Sequence, residues 1–219
     1  SSDLQSKFKD QQASSLALRY LLEKGIEIRG SYGNTFRTPS FEELYSKQIF
    51  DGHFFAGNEN LIPETSTSYE MSFKKNSFLA SDLQINTTFS GSFLNIKNRI
   101  DMALVRFNTD TGNPEYEYIN ISKYKMWNFS TTNQFKKENW TFNIGAAIIG
   151  ISQKIENQVF ASNEKYLYSF NLNSSVSYVV PKWNTTFSTY YKFNGKSQQF
   201  VEGASEYVIS TVDSSNWLD

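Results

Sequence analysis

Large apolar side chains alternate with polar ones along most of the chain. The alternation runs through Leu16 to Leu22, Thr65 to Phe73, Trp140 to Gly150 and Tyr166 to Val180. A period of two places successive side chains on opposite faces of a β-strand, so each of these segments has one apolar and one polar face. The pattern predicts about ten strands and no helix of any length. Many of the strands are longer than the average of about 5 to 6 residues in soluble proteins.

The connections between the predicted strands alternate between short and long. Short polar turns are predicted near Lys24, Asn76–Ser77, 136–139 and Pro181–Lys182, and long loops at 35–63, 108–114, 156–164 and 194–206. This alternation is typical of outer-membrane barrels, whose short turns face the periplasm and whose long loops face outside. We therefore predict an all-β fold, a transmembrane antiparallel β-barrel. In this scheme Ile100 to Phe107 and the run from Tyr207 to Thr211 are strands of their own.

Backbone pairing sets a further condition on this fold. Hydrocarbon leaves no partner for an unpaired amide, so a membrane-spanning sheet has to close into a ring. Neither the first nor the last ten residues resemble the natural end of a barrel, and a final strand ending in an aromatic residue is absent. We expect the chain to be an incomplete barrel, a slice of a larger one.

Composition narrows the chemistry that this chain can perform. Its 219 residues carry a net charge of −1, no cysteine and one histidine, His53. A near-neutral charge gives no electrostatic footprint for nucleic acid. The absence of cysteine excludes thiolate nucleophiles and zinc ribbons, and a single imidazole excludes sites that need two. We expect no catalytic residue and no resident cofactor.

Two extended motifs point to a family. Residues 30–45 read GSYGNTFRTPSFEELY, and residues 57–70 read GNENLIPETSTSYE. The two segments closely resemble two motifs that TonB-dependent outer-membrane receptors typically carry in the same order, SYGxxFRAPSxxELY and GNPxLKPExSxSYE. In the second segment Glu59 replaces the usual proline. The positions that carry this resemblance are Phe36, Arg37, Pro39, Glu42, Leu44, Tyr45, Gly57, Asn58, Leu61, Pro63, Glu64, Tyr69 and Glu70.

The resemblance implies a fold and a function. It implies a plugged barrel of about 22 strands, of which residues 1–219 supply a part toward the C-terminal side, without the plug or the closing strands. It also implies residence in the bacterial outer membrane and active import of a scarce, bulky nutrient, as in receptors of the Bacteroidetes type. The implied cargo is haem, a ferric siderophore or cobalamin. The implied partners are the TonB–ExbB–ExbD complex, acting through the plug, outer-membrane lipid and a surface-exposed lipoprotein.

Several motif residues have local roles that follow from their chemistry. Pro39 and Pro63 restrict the preceding residues to extended geometry, and so should mark where the chain enters and leaves the long loop. Gly57 and Asn58 can adopt a positive φ for a turn. Arg37 is expected to pair with carboxylates near the loop and in the barrel interior, namely Glu42, Glu64 and Glu70.

The extracellular loop 35–63 holds the candidate ligand contacts. A neutral imidazole can ligate haem iron while aromatic rings stack on a porphyrin, and haem receptors resemble this arrangement in carrying a histidine between the two motifs. His53 is therefore a candidate ligand of haem iron, and a hydrogen bond within the loop is the other interpretation. We predict no other metal ligand. The candidate contacts are Phe50, Asp51, His53, Phe54 and Phe55.

A second class of function is also compatible with alternation alone. A soluble β-rich adhesin or carbohydrate-binding module would carry the same pattern. It requires the apolar faces, such as that formed by Leu16, Leu18, Tyr20 and Leu22, to be sheltered between two layers of protein. The exposure of these side chains therefore distinguishes the two classes.

Overall fold

The computed structural model describes residue 8 and residues 11–50, 53–79, 82–154, 165–202 and 207–218. Within them the chain forms thirteen strands, one α-helix and one 3-10 turn. The helix α1 spans Phe41–Tyr45, and the 3-10 turn spans Pro181–Trp183. The strands are β1 (Ser14–Leu22), β2 (Ile26–Arg37), β3 (Lys47–Phe50), β4 (His53–Ala56), β5 (Glu64–Leu79), β6 (Leu83–Phe107), β7 (Pro114–Lys137), β8 (Trp140–Lys154), β9 (Tyr166–Val180), β10 (Thr185–Asn194), β11 (Ser197–Glu202), β12 (Tyr207–Val212) and β13 (Ser215–Leu218).

Nine of the strands form one antiparallel layer, which we call the wall. Its order is β1-β2-β5-β6-β7-β8-β9-β10-β13, so neighbours in sequence are also neighbours in space apart from two excursions. The first excursion holds α1 and the hairpin β3–β4, and β4 pairs in parallel with β7. The second is the separate two-stranded sheet β11–β12. Among the described residues β1 pairs only with β2 and β13 only with β10, so the wall is an incomplete barrel, as predicted.

The prediction of a separate strand at Ile100 to Phe107 is wrong. These residues belong to β6, which is 25 residues long. Asn98 has a φ of 56°, a local irregularity. Pairing with β7 nevertheless continues on both sides of it, because Lys97 lies opposite Lys123 and Arg99 opposite Ile121. The strand therefore runs from one end of the wall to well beyond the other.

Two further boundaries also differ from the prediction. Asn76 and Ser77 are not a turn but continue β5 to Leu79, because β6 offers them cross-strand partners. The run from Tyr207 to Thr211 belongs to β12, which pairs with β11 outside the wall. It is β13 that returns to pair with β10 and extends the wall. The helix α1, five residues long, is a further difference.

The two ends of the wall differ in the length of their connections. One end, which we call the turn end, carries the short connections at 23–25, 80–82, 138–139 and 181–184. The other end, the loop end, carries the segment 38–63 with α1 and the hairpin β3–β4. No helix of the described residues is long and apolar enough to cross a membrane.

The two faces of the wall differ in chemistry across its width. One face carries large apolar side chains that no second layer covers among the described residues: Leu18 is 68% exposed, Met71 65% and Phe129 62%. The face formed by Leu16, Leu18, Tyr20 and Leu22 is exposed in the same way. This is the arrangement of a transmembrane barrel and not of a two-layered soluble sandwich, because an apolar band that faces lipid needs no protein cover.

Aromatic side chains border this apolar face at both ends. At the loop end, cross-strand register aligns Tyr32, Tyr69, Phe93, Trp127 and Tyr168 into one row, the loop-side aromatic row. Ring centroids in it are 5.2 Å apart for Tyr32–Tyr69 and 5.5 Å for Trp127–Tyr168. At the turn end, the rings of Trp140 and Tyr178 lie 4.5 Å apart.

The spacing of these two borders matches a bilayer. Ten residue steps of β9 separate Tyr168 from Tyr178. At a rise of ~3.3 Å per residue and a tilt of ~40°, they span about 25 Å, the height of the lipid-facing band in outer-membrane barrels. Aromatic girdles belong at both edges of such a band because their rings are amphipathic.

The opposite face of the wall is polar. A chain of side-chain hydrogen bonds crosses four strands: Asn86 Nδ2 donates to Gln134 Oε1, Gln134 Nε2 to Asn143 Oδ1, and Asn143 Nδ2 to Ser175 Oγ, each at 3.0 Å. Nearer the edge, Glu27 accepts from Arg19 at 2.7 Å and also pairs with Arg29. Polar side chains that satisfy one another in this way are typical of a barrel interior.

At Gly150 of the wall, packing leaves no room for a side chain. The indole of Trp127 lies over Gly150, so that a Cβ added at Gly150 would come within 2.4 Å of the indole Cε2. The next ring of the row, Tyr168, is paired directly with Gly150 in register. The glycine therefore lets the loop-side aromatic row continue across β8.

We expect Gly150→Ala to destabilise the folded barrel by about 1–3 kcal/mol, because the methyl group overpacks against Trp127. Unfolding of the whole receptor by urea in lipid vesicles measures this change in stability. Gly30→Ala is the matched control, since a Cβ there meets nothing within 4 Å. It should leave stability unchanged or slightly higher. Equal effects of the two substitutions would contradict the packing argument.

Candidate functional site

The segment between β2 and β5 begins with a capped helix. Ser40 is the N-cap of α1: its hydroxyl accepts from the Glu43 amide at 3.2 Å, and its own amide donates to Glu43 Oε2 at 2.7 Å. This reciprocal pair is a capping box, which satisfies two backbone donors that a helix start leaves open. Pro39, buried, precedes the cap. The signal Ser-x-x-Glu was present in the sequence and could have identified the helix.

Arg37, the last residue of β2, ties this helix to the wall. Its Nη1 lies 2.9 Å from Glu43 Oε2, and its Nη2 lies 2.7 Å from Glu64 Oε1 at the start of β5. The same Oε1 of Glu64 accepts from the Ile100 amide of β6 at 2.6 Å. One guanidinium therefore joins β2, α1 and β5, and through Glu64 also β6.

The predicted partners of Arg37 are confirmed only in part. Glu64 pairs with it as predicted, but the second carboxylate is Glu43. Glu42 is in the first turn of α1, where its carbonyl accepts from the Ser46 amide at 3.0 Å. Glu70 lies along β5 toward the turn end, and the Ser31 hydroxyl donates to its Oε2 at 3.5 Å. Sequence spacing could not separate Glu42 from Glu43 without the helix.

Titration of these groups follows from their contacts at the loop end, beyond the aromatic row. Burial alone would raise the pKa of the Glu64 carboxyl. Hydrogen bonds from the Arg37 guanidinium and the Ile100 amide outweigh this effect, so the pKa of Glu64 lies below its ordinary value. Glu64 in turn raises the pKa of Arg37. The pKa of Tyr118 is raised by burial and by the nearby charges of Glu42 and Glu43.

The second motif returns the chain to the wall through a close backbone contact. A Cβ at Gly57 would lie 2.5 Å from the Tyr45 amide nitrogen and 2.6 Å from the Leu44 carbonyl carbon. The Gly57 amide donates to the Ser46 carbonyl at 2.7 Å, and the Asn58 amide to the Glu43 carbonyl at 2.8 Å. The predicted positive φ at Gly57 or Asn58 is wrong. Glycine is needed at 57 for close approach to the end of α1.

The side chain of Asn58 makes the first contact of this motif with β7. Its Nδ2 donates to the Tyr118 carbonyl at 3.0 Å, while its Oδ1 accepts from the Asn60 amide at 2.9 Å. An asparagine that bonds to the backbone two residues ahead forms an Asx turn. The turn positions Leu61, whose amide donates to the Asn58 carbonyl at 3.2 Å.

Asn120 of β7 is a positioning residue whose contacts the sequence did not reveal. Its Nδ2 donates to the carbonyls of Ile62 at 2.9 Å and Asn98 at 2.7 Å, and its Oδ1 accepts from the Ile62 amide at 3.0 Å. The side chain thus replaces a strand partner for Ile62 and holds the segment before Pro63 against the wall. The contact spans 58 positions of sequence, so only a knowledge of the register could have found it.

A small apolar core lies beneath these polar contacts. Leu44 of α1, Leu61 of the second motif and Ile100 of β6 are buried together, with Tyr118 packed against them. Leu44 and Leu61 are thus motif residues with a packing role. The other motif residues lie around this core: Phe36 near the end of β2, Tyr45 with its ring 5.1 Å from Phe41, Pro63 just before β5, and Tyr69 in the loop-side aromatic row.

The predicted ligand contacts lie on and beside the hairpin β3–β4. Phe50 ends β3, and its backbone pairs with His53. Asp51 lies outside the described residues. Phe54 is half-buried on β4, opposite Ile49 of β3. The structure brings the remaining two, His53 and Phe55, to the same face of β4, since side chains two apart on a strand share a face.

His53, Phe55 and Tyr116 form a cluster of three rings, which we call the ring cluster. Centroids are 6.3 Å apart for His53–Phe55, 5.9 Å for His53–Tyr116 and 5.3 Å for Phe55–Tyr116. The Phe55 and Tyr116 rings are stacked with an interplanar angle of 17°. Tyr116 was not predicted. It enters because β4 pairs in parallel with β7, which places Phe55 opposite Tyr116.

Comparison with known proteins places this architecture in a family. Residues 2–217 match the family model for the β-barrel of TonB-dependent receptor-like proteins. The chain belongs to the TonB-dependent receptor β-barrel family. This chain contains the two motifs of a TonB-dependent receptor barrel, in their usual order, and an open section of its wall. The family is one of transport receptors.

Solved structures share the fold of this receptor barrel at low sequence identity. The siderophore receptor PirA from Acinetobacter baumannii superposes with a TM-score of 0.62 and 16% identity over 94% of this chain and 33% of its own. A double mutant of the Serratia marcescens hemophore receptor HasR, in complex with its hemophore HasA and heme, superposes with a TM-score of 0.57 and 14% identity. That match covers 85% of this chain and 35% of HasR. The chain thus spans about a third of the length of these receptors.

We expect Asn120→Ala to loosen the second motif of this receptor barrel. The substitution removes three hydrogen bonds and leaves the Ile62 amide and carbonyl without a partner, so local opening should cost about 1–3 kcal/mol less. Hydrogen exchange at Ile62 measures the change. Asn60→Ala is the control, because Asn60 contributes its backbone amide and not its side chain to the Asx turn. Unchanged exchange at Ile62 would show that Asn120 does not hold it.

The ion pair of Arg37 predicts an acid-sensitive junction. The pKa of the Glu64 carboxyl is lower in the folded protein than in the unfolded chain, where it is about 4.5. Its ion pair therefore stabilises the fold at pH values above about 4.5, and this stabilisation is lost as the pH falls through the folded-state pKa. Protection of the Ile100 amide, corrected for intrinsic exchange, should therefore fall in that acidic window. In Glu64→Gln, the protection should be lower near neutral pH and should not change across the window. Protection in the wild-type protein that stays constant through this window would argue against the linkage.

Proposed function

We propose that this chain forms part of the wall and ligand-binding surface of an outer-membrane receptor that imports a scarce, bulky nutrient. The single observation that carries the proposal is the ring cluster of His53, Phe55 and Tyr116 at the loop end of a lipid-facing barrel. In outer-membrane barrels this end faces outside. Three converging rings there favour a cargo with a flat or apolar face, because stacking and apolar burial are what rings supply.

Haem, a ferric siderophore and cobalamin are the cargo classes of this proposal. Haem is the leading candidate, because a neutral imidazole such as His53 can ligate its iron while the neighbouring rings pack on the porphyrin. HasR, which shares the fold, was solved with heme bound. In the other two classes the ring cluster contributes packing alone, and His53 acts within the loop.

Energy for the import comes from TonB–ExbB–ExbD in this proposal. A plug within the lumen would relay cargo binding outside to the energy-coupling complex inside, which is a coupling between two sites. The polar face of the wall supports such an arrangement, since its ladder from Asn86 to Ser175 offers a hydrated surface to a domain within the lumen. A surface-exposed lipoprotein that closes over the loop end would be a further partner.

Direct binding to the whole receptor tests the cargo contacts. We expect His53→Ala combined with Tyr116→Ala to weaken binding of the true cargo about tenfold or more, because central aromatic contacts contribute over 1 kcal/mol each. Affinities for haem, cobalamin and a ferric siderophore are measured in parallel. Phe41→Ala is the matched control, an exposed ring of the same segment that pairs with Tyr45 instead.

The outcomes separate the cargo classes. If haem binds and its absorption spectrum in His53→Ala differs from that of the wild-type receptor, His53 ligates the iron. If haem binds with an unchanged spectrum, ligation by His53 is wrong and the ring cluster only packs. If none of the three ligands loses affinity in the double variant, the assignment of the ring cluster as the cargo site is wrong.

A further inference from the structure

Two aromatic side chains lie on the polar face of the wall, away from lipid. Tyr190 of β10 is 56% exposed, and Trp217 of β13 is 64% exposed. Tyr190 lies opposite Ser175, the last member of the polar hydrogen-bond chain. Trp217 lies opposite Lys192, two residues from Tyr190 on the same face. The residues that continue these two cross-strand rows along β5–β9 carry no ring. Rings in this position do not border the lipid, so a different role has to account for them.

Lys192 adds a positive charge beside these rings, at half the height of the membrane band. It lies directly opposite Asn173 of β9. Asn173 is five residues from Tyr168 and five residues from Tyr178, the rings that mark the two borders on this strand. At a rise of ~3.3 Å per residue and a tilt of ~40°, the lysine is about 13 Å from either border. Any molecule that crosses the barrel along this part of the wall has to pass it.

No acidic residue compensates this charge on the strands around it. The described strands β8, β9, β10 and β13 contain neither aspartate nor glutamate. Lys192 is exposed, and it takes part in none of the ion pairs that the described residues form. A charged group at this depth of a membrane protein is costly unless it faces water or a partner, and such groups mark substrate pathways. Lys192 is therefore available to an anion that enters the lumen.

The space around Lys192 is a cavity on the polar face, which we call the inner cup. It encloses about 630 Å³, and its lining includes Lys192, Tyr190, Trp217, Thr132 and Asn173. The ammonium and the indole N–H can only donate hydrogen bonds, whereas hydroxyl and amide groups can also donate. The lining that the described residues provide contains no carboxylate. Because sites for small molecules typically measure about 300–1,000 Å³, the inner cup has the size for a small molecule and the polarity for an anion.

A glycine on β8 gives one amide of the inner cup its position. Asn173 lies directly opposite Gly145, and a Cβ added at Gly145 would come within 2.2 Å of Asn173 Oδ1. The amide can lie over β8 because position 145 has no side chain. The neighbouring amide of Asn143 is already engaged, since it accepts from Gln134 and donates to Ser175. Among the described residues no hydrogen bond engages the side-chain amide of Asn173, so it is available to a ligand.

We propose that the inner cup is a second, internal binding site for the receptor's cargo, and that it takes a molecule with a carboxylate and a flat or apolar part. Lys192 and Asn173 bind the carboxylate, while Tyr190 and Trp217 pack against the flat part. The inference rests on the proposed function, because it requires a cargo that crosses the lumen. The ring cluster captures the cargo beyond the membrane band, and the inner cup receives it on the way across.

Other occupants account for fewer features of the inner cup. An acidic side chain of a plug would neutralise Lys192, but it would fill a small part of about 630 Å³ and leave two exposed rings without a contact. An inorganic anion would do the same. A molecule that joins a carboxylate to a flat face uses both features, because rings contribute through stacking and apolar burial. Haem combines the two, with carboxylates on a flat macrocycle.

The same cross-strand row supplies a matched control. Lys74 of β5 lies on the polar face at the same height, because the row that holds Lys192 runs through it. Unlike Lys192, it lies directly opposite an acidic residue, Glu27. Lys74→Gln therefore removes the same charge from the same face and height, outside the inner cup. Lys192→Gln is the test variant, and Lys192→Arg keeps the charge.

Haem uptake by cells that carry the whole receptor is measured together with haem binding to the purified receptor. We expect Lys192→Gln to leave the affinity for haem unchanged and to lower the maximal uptake rate about tenfold, because a hydrogen bond to a charged group contributes a factor of this size. Lys192→Arg and Lys74→Gln should keep the wild-type rate. Trp217→Leu, which removes a ring of the inner cup, should also lower the rate without changing the affinity. If a carboxylate-bearing ferric siderophore is the cargo, it replaces haem in the same assay.

Four outcomes would overturn the proposal. The first is a wild-type uptake rate in Lys192→Gln. The second is an equal loss in Lys74→Gln, which would make the effect one of luminal charge in general. The third is a lower affinity in Lys192→Gln with an unchanged maximal rate, which would place its action at capture. The fourth is faster hydrogen exchange in the plug of the cargo-free Lys192→Gln receptor, which would make a plug carboxylate the occupant.

The wild-type receptor in the same assay keeps this proposal separate from the proposed function. If it imports haem and Lys192→Gln imports haem equally fast, the function stands and the inner cup is refuted. If its only cargo is cobalamin, which has no carboxylate, the function also stands and the inner cup is refuted. If it imports none of the three cargo classes, both are refuted. Unchanged mobility of the folded variants in cold detergent gels confirms that the substitutions leave the barrel intact.

Discussion

Hydrocarbon offers no hydrogen-bond partner to a peptide group, and this constraint shapes the whole wall. Between the aromatic borders the strands from β2 to β9 in the wall each pair with a neighbour on either side, whereas β10 pairs with β13 only over Tyr191–Asn194. An open edge in lipid would leave a row of donors and acceptors unsatisfied, at several kcal/mol each. Among the residues that the structure describes, the outer sides of β1 and β13 have no strand partner, so the wall can be stable in a membrane only as part of a closed ring.

The same pairing has a different use beyond the membrane. The strands β6 and β7 continue past the aromatic row and provide a rigid platform for the segment between β2 and β5. Water is present there, so that segment can include irregular backbone, and side chains replace strand partners where pairing stops. Asn120 takes this role for Ile62, and Glu64 takes it for Ile100. The polar junction at Arg37 and the apolar core at Leu44 then fix the segment from two sides.

Much of the wall could be predicted from the sequence, because a period of two survives in every strand that has one face in lipid. What could not be predicted depends on register. The contact of Trp127 with Gly150 is set by how β7 and β8 turn at Glu138, which has a φ of 49°. The run at Asn76 reads as a turn from composition, yet β6 supplies partners that keep it extended. The family resemblance identified the motif residues, but their roles in bonding and packing required the structure.

The candidate site also combines residues that the sequence identified with one that only the strand pairing reveals. Its histidine and phenylalanines were visible as unusual residues in a long polar loop, whereas Tyr116 lies 61 positions from Phe55 in sequence and joins them only through the parallel pairing of β4 with β7. A short capped helix also escapes detection by periodicity, since five residues are less than two turns.

Preorganisation links these features to binding. A loop that orders only when cargo arrives loses part of its affinity to the entropy of ordering, about 0.5–1.5 kcal/mol for each side chain that becomes fixed. The ring cluster avoids much of that cost because β4 is paired on both sides, with β3 and with β7. The rest of the segment between β2 and β5 is held by the contacts of Arg37, Gly57 and Asn120. Under the proposed function, a cargo molecule would meet rings already in place on β4, and β4 is joined by backbone pairing to β7 of the wall.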